Sequence, residues 1–464
     1  MADYSLVIIG AGLSGLAAGI RYARFGGSVL ILEKHAIPGG LNSYYYRKGF
    51  LLETGLHAMT NFAGPEDKRA PLNRLLRQLK LSRHDFITHE QYSSLISFPG
   101  NAALRFSNDF SMLQEEIFSR FPGEIAGFRR LLTVLDGYNP FAPGPWLSTR
   151  AMLGRFLRDP LLTEMLLLPL MVYGNSEEHD MDFAQFVIMF RSIYQEGFFR
   201  PEGTMKDFLA LLVDQFTAFG GEIRYNSRVE AIAVTDDQRA RSVQLADGTT
   251  ISCDAVISTV GAPGTFELLA LPRQEETYAG RMSFVESIYI LPHQARETVD
   301  SRHTIIFYCL SDHFQYRRPE QPVDPSWGVI CFPENFHGLP PSDTFQIRIT
   351  HAANYDLWKN ASTQDYQIMK KEWGAKSREI TAKIIGNYQQ NVVYEDSFTP
   401  VTIERYTAKA RGAVYGSPVK VKDGRTPCRN LFIAGTDQGF LGIVGSMLSG
   451  VTIVNQHLLT SEVV

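Results

Sequence analysis

A short glycine-rich run near the N-terminus has the residue types and the spacing that suit the pyrophosphate of a dinucleotide. It lies between an apolar stretch that predicts a strand and an alanine-rich stretch that predicts a helix. In such a turn Gly10 allows the tight bend, Gly12 lets the backbone approach the phosphates, and Gly15 lets the helix pack on the strand. The free N–H groups and the dipole at the helix N-terminus then favour an anion. The run consists of Gly10, Ala11, Gly12, Leu13, Ser14 and Gly15.

An acidic residue follows at the distance that a ribose-binding carboxylate requires. The next apolar stretch, residues 28–32, predicts a second strand and ends on Glu33, about 20 residues after the glycines. A carboxylate there also argues against a 2′-phosphate on the ribose, because two anions would face each other. The combination predicts a dinucleotide-binding strand–helix–strand unit, although the glycine pattern by itself does not distinguish NAD from FAD. The alternative is a glycine-rich turn in another α/β fold.

The composition restricts the class of protein. A chain of 464 residues exceeds one typical domain core, so at least two domains are expected. The net charge of -4 argues against nucleic acid as the main partner, because phosphate binding needs a basic face. The four cysteines are widely spaced, so neither a zinc cluster nor a disulfide framework is expected. This usage of cysteine favours a protein of the reducing cytoplasm. The most apolar stretch, residues 161–173, is too short to span a bilayer and predicts a buried helix.

Three separated segments of the chain have the pattern of α/β structure, and two insertions of different character lie between them. We therefore predict an α/β fold with α+β insertions, in which a Rossmann-type cofactor domain is built from three chain segments. These segments are residues 1–85, 201–276 and 400–464. The insertions, residues 86–200 and 277–399, are predicted to form one discontinuous substrate domain.

Aromatic residues recur at helical spacing in the first insertion. Phe183, Phe186, Phe190 and Tyr194 follow a pattern that places them on one face of a helix. Such a face could line a tunnel for a long apolar molecule. Ordinary core packing produces the same spacing, and it is the preferred interpretation.

Further motifs resemble those of a known family along the whole chain. They occur in residues 38–42, 49–57, 201–203, 431–437 and 442–450. This set resembles the superfamily of FAD-dependent amine oxidases and phytoene desaturases, and more narrowly its branch of carotenoid desaturases, carotenoid isomerases and retinol saturases. The resemblance implies FAD as the cofactor and is more specific for the FAD-binding fold than for a substrate.

The resemblance also implies roles for individual residues. The glycine run would hold the pyrophosphate, Glu33 the adenosine ribose with Lys34 beside it, and the backbone of Val229 the adenine. A helix that begins near Gly442 would place its positive end beside a reduced flavin. The residues assigned to the ribityl chain and the flavin ring are Gly39, Gly40, Leu41, Asn42, Gly55, Leu56, His57, Gly435, Asp437, Gly442, Ile443, Val444, Gly445 and Met447.

Three positions qualify the resemblance or its chemistry. Many relatives have a basic residue where Leu41 stands, and many have Asp where Glu53 stands. His57 is the candidate catalytic residue, because a histidine near the flavin could relay a proton close to neutral pH. The alternative is that His57 only packs against the ring.

We predict an FAD-dependent oxidoreductase acting on carbon–carbon bonds of a long apolar substrate, such as a carotenoid precursor or another polyisoprenoid. Desaturation, saturation and flavin-dependent isomerisation remain open. The alternatives are a flavin oxidase of amines or amino-acid derivatives and, from another class, a prenyl-lipid-binding protein of the Rab escort and GDP-dissociation-inhibitor type without flavin chemistry.

The partners are predicted from the same observations. No second glycine fingerprint opens a strand–helix pair, so the electron partner is expected to be O₂, a quinone or a redox protein rather than a separate NAD(P)H domain. An isoprenoid substrate resides in the bilayer, so we expect a cytoplasmic protein with peripheral membrane contact.

Overall fold

Two seven-stranded sheets form the framework of the protein. The structure, a computed structural model, describes residues 2–55 and 58–459. In these ranges the strands are β1 (Tyr4–Ile9), β2 (Val29–Leu32), β3 (Tyr44–Arg47), β4 (Phe50–Glu53), β5 (Met59–Thr60), β6 (Thr88–Glu90), β7 (Ser94–Phe98), β8 (Ala102–Phe106), β9 (Phe198–Pro201), β10 (Glu222–Arg224), β11 (Val229–Val234), β12 (Ala240–Leu245), β13 (Thr250–Ser258), β14 (Ser283–Pro292), β15 (Ile305–Cys309), β16 (Val323–Cys331), β17 (Thr344–Ala353), β18 (Tyr394–Phe398) and β19 (Leu431–Ile433).

Helices pack on these sheets and connect their strands. They are α1 (Leu13–Ala23), α2 (Pro71–Leu79), α3 (Phe110–Arg120), α4 (Ile125–Gly137), α5 (Thr149–Leu153), α6 (Pro160–Gly174), α7 (Phe183–Phe190), α8 (Met205–Ala218), α9 (Ala262–Leu268), α10 (Glu275–Tyr278), α11 (Tyr355–Asn360), α12 (Thr363–Ile385), α13 (Pro400–Thr407) and α14 (Gly442–Ile453).

The first sheet has the strand order β10-β2-β1-β13-β12-β11, with β19 beside β13. Strand β1 runs parallel to both β2 and β13, and β19 runs parallel to β13. Both faces of β1 are buried: Leu6 and Ile8 pack with helices α1, α8 and α14, whereas Val7 and Ile9 pack against β11 and β12. A parallel strand that is covered on both faces requires a continuous apolar run, and this explains the sequence of β1. The Rossmann-type fold predicted from the sequence is confirmed.

The second sheet has the strand order β18-β14-β17-β16-β15-β7-β8. Its pairs are antiparallel except for β15 and β7, which are parallel. An aromatic-rich core lies between this sheet and helices α3, α4, α6 and α7. The stripe Phe183, Phe186, Phe190 and Tyr194 is fully buried in this core, and the Tyr194 hydroxyl donates to the carbonyl of Leu166. The core-packing interpretation of the stripe is therefore confirmed.

Helix α6 contains the most apolar stretch of the chain. The carboxylate of Asp159 caps its N-terminus by accepting from the N–H groups of Leu161 and Leu162, and most of its residues are buried. The predicted buried helix is thus confirmed. Among the described helices none has the length and apolar character needed to cross a membrane. The limits of the two domains stay a prediction, with the strands of the first sheet lying in residues 4–32, 222–258 and 431–433.

Candidate functional site

The glycine turn joins β1 to α1 at the edge where the parallel strands end. The N–H of Gly10 donates to the carbonyl of Leu32 over 2.8 Å, and its φ of 102° lies in the left-handed region that favours glycine. A Cβ added at Gly15 would lie 2.1 Å from the Gly10 carbonyl oxygen, so only glycine allows this close packing of helix and turn. A Cβ added at Gly12 would meet no protein atom within 4 Å. The turn is therefore closely packed at Gly15, whereas the space beside Gly12 is open to a ligand.

The N-terminus of α1 has no side-chain cap. Gly12 occupies the N-cap position and makes no side-chain hydrogen bond to the first turn. The first N–H groups of a helix lack partners within the helix, and the helix dipole adds a positive potential there. This end of α1 can therefore bind an anion such as a pyrophosphate.

Glu33 follows β2 and is only 6% exposed. Its Oε2 accepts from the Ala11 N–H over 2.8 Å, and its Oε1 accepts from the His35 N–H over 2.9 Å. A carboxylate has about four acceptor positions, so two remain for ribose hydroxyls. Beside it, the Lys34 ammonium donates to the carbonyl of Arg405 over 2.8 Å, and burial lowers the pKa of Lys34.

A cavity of about 750 Å³ collects most of the residues that the resemblance assigned to the cofactor. This is within the size range of about 300–1,000 Å³ that cofactor sites occupy. The assigned residues that line it are Gly10, Gly12, Leu13, Ser14, Glu33, Lys34, Gly39, Gly40, Leu41, Asn42, Val229 and Gly435.

A second, smaller cavity of about 150 Å³ adjoins the first. Five of the assigned residues line it: Leu41, Asn42, Gly55, Gly442 and Ile443. Its remaining wall is mostly apolar and comes largely from the second sheet and from α6. The two cavities share the residues Leu41, Asn42, Ile403, Val414, Thr436 and Ser446.

Helix α14 begins at the second cavity. Its N-cap residue, Leu441, makes no side-chain hydrogen bond to the first turn, and Gly442, Ile443 and Ser446 line the cavity. The positive end of the helix dipole therefore lies at this cavity, where it would stabilise negative charge on a ligand.

Other assigned residues line neither cavity. Asp437 is 1% exposed, and its carboxylate accepts from the Ala262 N–H over 2.7 Å and from the Lys409 ammonium over 3.1 Å. Burial raises the pKa of Asp437, but Lys409 and the Ala262 N–H outweigh that effect and hold the pKa below its usual value. Its side chain thus fixes the loop beside the cavities, and its predicted role at the ribityl chain stays a prediction. The assigned residues that line neither cavity are Ala11, Gly15, Asp437, Val444, Gly445 and Met447.

Leu56 and His57 lie outside the described residues, so the predicted roles of both, including proton relay by His57, stay predictions.

Residues that the sequence analysis did not assign also line the larger cavity. Thr259 and Val260 follow β13 directly, at the same edge of the sheet as Gly10. The rule that ligands bind at the carboxyl ends of parallel strands would have found them. Lys409 and Thr436 line the same cavity but carry no comparable signal in the sequence.

The fold and these two cavities agree with what the chain matches among known proteins. The profile of the family described as flavin containing amine oxidoreductase matches residues 13–291, which is more than half of the chain. The chain belongs to this family. Its cofactor is FAD, and the protein is an FAD-dependent oxidoreductase.

Individual relatives are distant but cover most of the chain. A prolycopene isomerase of Arabidopsis thaliana is 23% identical over 89% of this chain and 74% of its own length. An all-trans-retinol 13,14-reductase of Danio rerio is 22% identical over 98% of this chain and 87% of its own length. Among solved structures, an oxidoreductase from Methanosarcina mazei covers 97% of this chain with a TM-score of 0.67 at 18% identity, and this likeness shows the fold.

The residues present fit FAD. The open face of Gly12, the uncapped start of α1 and the spare acceptor positions of Glu33 suit a pyrophosphate and a ribose. The uncapped start of α14 suits the flavin end. When bound, FAD supplies hydride transfer, while the protein positions it and shapes the surrounding cavity.

Proposed function

We propose that this flavoenzyme acts on carbon–carbon bonds of a long apolar polyene of the polyisoprenoid class, by desaturation, saturation or flavin-dependent isomerisation. The observation that carries the proposal is the apolar second cavity, which adjoins the larger one and meets the start of α14. Its apolar wall consists of Ala58, Val172, Tyr173, Phe284, Val329, Phe398, Ile403, Val414, Tyr415 and Ile443. Such a wall excludes water and favours a hydrocarbon segment beside the flavin.

The named relatives support the same chemistry. A prolycopene isomerase and an all-trans-retinol 13,14-reductase both act, by name, on conjugated polyenes. One name describes an isomerisation and the other a reduction, so the relatives leave the direction open. The family membership weighs against a lipid carrier without flavin chemistry.

We further propose that the protein makes peripheral contact with a membrane, which would hold such a substrate. Residues 141–146, with the sequence Phe-Ala-Pro-Gly-Pro-Trp, are all exposed, and Phe141 and Trp146 are 70% and 51% exposed. The Phe141 ring stacks on Phe440 with 6.4 Å between ring centroids. Phe440 lies two residues before Gly442, where α14 begins at the second cavity. The exposed loop therefore lies close to this cavity. Aromatic side chains favour the membrane–water interface.

The experiment that tests the function compares substrates under anaerobic conditions. Holoprotein with oxidised flavin and, separately, with reduced flavin is mixed with prolycopene, with all-trans-retinol or with a primary amine, and flavin absorbance and products are followed. We expect at least one polyene to be converted to a product with altered double bonds, either by the protein with oxidised flavin or by the protein with reduced flavin. Flavin reduction by the amine, with every polyene unchanged in both flavin states, would favour the amine oxidase alternative instead.

The electron partner is tested in the same preparation. Reduced protein is mixed separately with O₂, a soluble quinone and an oxidised redox protein, and the rates of reoxidation are compared. The acceptor that reoxidises the flavin as fast as the enzyme turns over identifies the class of the physiological electron partner.

A further inference from the structure

A buried ion pair lies in the wall of the second cavity. Strands β14 and β17 pair so that Glu286 stands directly opposite Thr350. The Glu286 Oε1 accepts from the Arg348 Nε over 2.9 Å, and its Oε2 accepts from the Thr350 hydroxyl over 2.5 Å. Glu286 is 3% exposed and Arg348 is 1% exposed. The strand pairing thus fixes one carboxylate inside the sheet.

Glu286, although buried in the sheet, also lines the second cavity. Glu286 and Thr350 line the second cavity together with Gly442 and Ser446, the start of α14. Burying a charged pair carries a desolvation cost that its attraction often fails to repay, so such a pair is weak evidence for a stabilising role. A buried carboxylate in a mostly apolar ligand cavity is the arrangement expected of a group that serves chemistry.

A hydroxyl in the same cavity points to the same conclusion. The Tyr173 side chain lines the cavity, and its hydroxyl is buried without a hydrogen-bond partner among the described residues. Buried polar groups in proteins nearly always have partners, so an unpaired one invites a ligand. Burial also raises the pKa of Tyr173 well above its usual value, which keeps the phenol protonated. The Glu286 carboxylate as an acceptor and the Tyr173 hydroxyl as a donor therefore both lie at this cavity, beside its apolar wall.

We propose that Glu286 is the proton acceptor of the reaction at the carbon–carbon bond. In desaturation two C–H bonds of neighbouring carbons break: one carbon passes a hydride, with its electron pair, to the oxidised flavin, and the other releases a proton to the Glu286 carboxylate. The electrons of the second C–H bond form the new double bond. In saturation the same group returns the proton. This assignment rests on the proposed function.

Arg348 and Thr350 are positioning residues in this proposal. Both donate to Glu286, and Arg348 also donates to the carbonyl of Thr54 over 3.4 Å, which ties the pair to the segment before Gly55. The pair therefore holds the carboxylate in one orientation at the cavity wall.

The first test needs no substrate. The midpoint potential of the bound flavin is measured in the wild type, in Glu286→Gln and in the control Glu164→Gln. Glu164 is a buried carboxylate that also pairs with an arginine, Arg150, but it lines neither cavity. A negative charge at the cavity disfavours reduced flavin, so Glu286→Gln should shift the potential to more positive values and Glu164→Gln should leave it unchanged. An unchanged potential in Glu286→Gln would overturn the placement of this carboxylate beside the flavin.

The second test follows the chemical step. Hydride exchange between the polyene and the flavin is measured anaerobically against pH, in the direction that the wild type catalyses. Loss of a general base typically costs about 10²–10⁴-fold, so Glu286→Gln should be at least about 100-fold slower and should lose an ionisation seen in the wild type. Full flavin content and unchanged polyene binding in the variant would separate this from misfolding.

The outcomes separate the two proposals. If the wild type reacts and Glu286→Gln has the same rate and pH dependence, the proton-acceptor role is wrong while the proposed function stands. If no polyene reacts with the wild type, the proposed function fails and the role fails with it. If Glu286→Gln does not fold, the double variant Glu286→Gln/Arg348→Gln removes both buried charges, and the same slow rate is expected of it.

Discussion

At the scale of single residues, Glu33 is held against the glycine turn, and we propose that it binds the ribose of FAD. Its carboxylate is held by the N–H groups of Ala11 and His35 and lines the larger cavity. A hydrogen bond to a charged group contributes about 1.5–3 kcal/mol, so Glu33→Gln should weaken FAD binding about 10- to 100-fold. The dissociation constant of FAD from reconstituted apoprotein measures this. Glu230→Gln, at an exposed position lining the same cavity, should bind FAD like the wild type. If Glu33→Gln bound FAD as tightly as the wild type, Glu33 would not be part of the FAD site.

Glu196 makes a prediction about pH. Burial raises its pKa to about 7, although Asn61 donates to the carboxylate over 2.7 Å. A carboxyl group whose pKa is raised in the folded state stabilises that state below its unfolded pKa, and this stabilisation is lost as the pH rises through about 7. Glu196→Gln should therefore be more stable than the wild type at pH 8, by about 3 kcal/mol at most, and equal to it near pH 4.

Thermal unfolding of both proteins across this pH range checks the prediction. Glu115→Gln, at an exposed position on α3, is the matched control and should show no such difference. A Glu196→Gln variant that is no more stable than the wild type at any pH would show that burial at this position does not penalise the charge.

At the scale of elements, Glu53 joins three parts of the chain. This residue ends β4, its Oε2 accepts from Arg200 of β9 over 2.6 Å, and its Oε1 accepts from the N–H of Met205 at the start of α8. Both members of the pair are nearly fully buried. Glu53→Ala leaves a buried guanidinium without its carboxylate, which should cost about 3–5 kcal/mol and lower the thermal unfolding temperature.

Two further variants test the cause of this loss. Glu53→Ala/Arg200→Met removes both charges and should recover much of the stability, because no unpaired charge remains. Glu379→Ala breaks an exposed pair with Lys383 on α12 and should cost about 0.5 kcal/mol or less. If the exposed and buried variants lost the same stability, burial would not be the deciding factor.

The sequence predicted those elements whose function depends on local spacing. The turn at Gly10, the uncapped start of α1 and the carboxylate of Glu33 all lie within one strand–helix–strand unit, so their spacing in sequence determines their spacing in space. The start of α14 near Gly442 follows instead from the resemblance to the family's motif. Val229 lines the larger cavity, and its role at the adenine stays a prediction.

The second cavity could not be predicted because distant pairings build it. Glu286 and Thr350 meet only because β14 and β17 are adjacent strands. The sequence of each strand predicts a strand and gives no sign of a ligand site. Tyr173 comes from α6, whose apolar sequence predicts a buried helix and no more. The local motif that assigned Asp437 to the cofactor does not reveal that Ala262 and Lys409 hold its carboxylate, and its role at the ribityl chain stays a prediction.

At the scale of the whole molecule, the exposed apolar loop of residues 141–146 is the site of the proposed contact with a membrane. Phe141→Ser/Trp146→Ser removes the two exposed aromatic side chains and should reduce flotation with liposomes several-fold, because their interfacial partitioning is lost. Phe25→Ser is the matched control, since Phe25 is 57% exposed at the end of α1, and it should float like the wild type. Equal flotation of all three proteins would exclude this loop as the contact.

The central claim is that FAD, held along the larger cavity with its flavin at the start of α14, reacts with a polyene in the adjoining apolar cavity. The most direct measurement mixes a polyene anaerobically with holoprotein in two samples, one with oxidised and one with reduced flavin, and records the flavin spectrum together with the polyene products. We predict one of three results: flavin reduction matched by gain of one double bond per flavin, flavin reoxidation matched by loss of one, or a change of double-bond geometry while the flavin stays reduced. A polyene recovered unchanged in both samples, with both flavin states unaltered at saturating polyene concentration, would contradict the account.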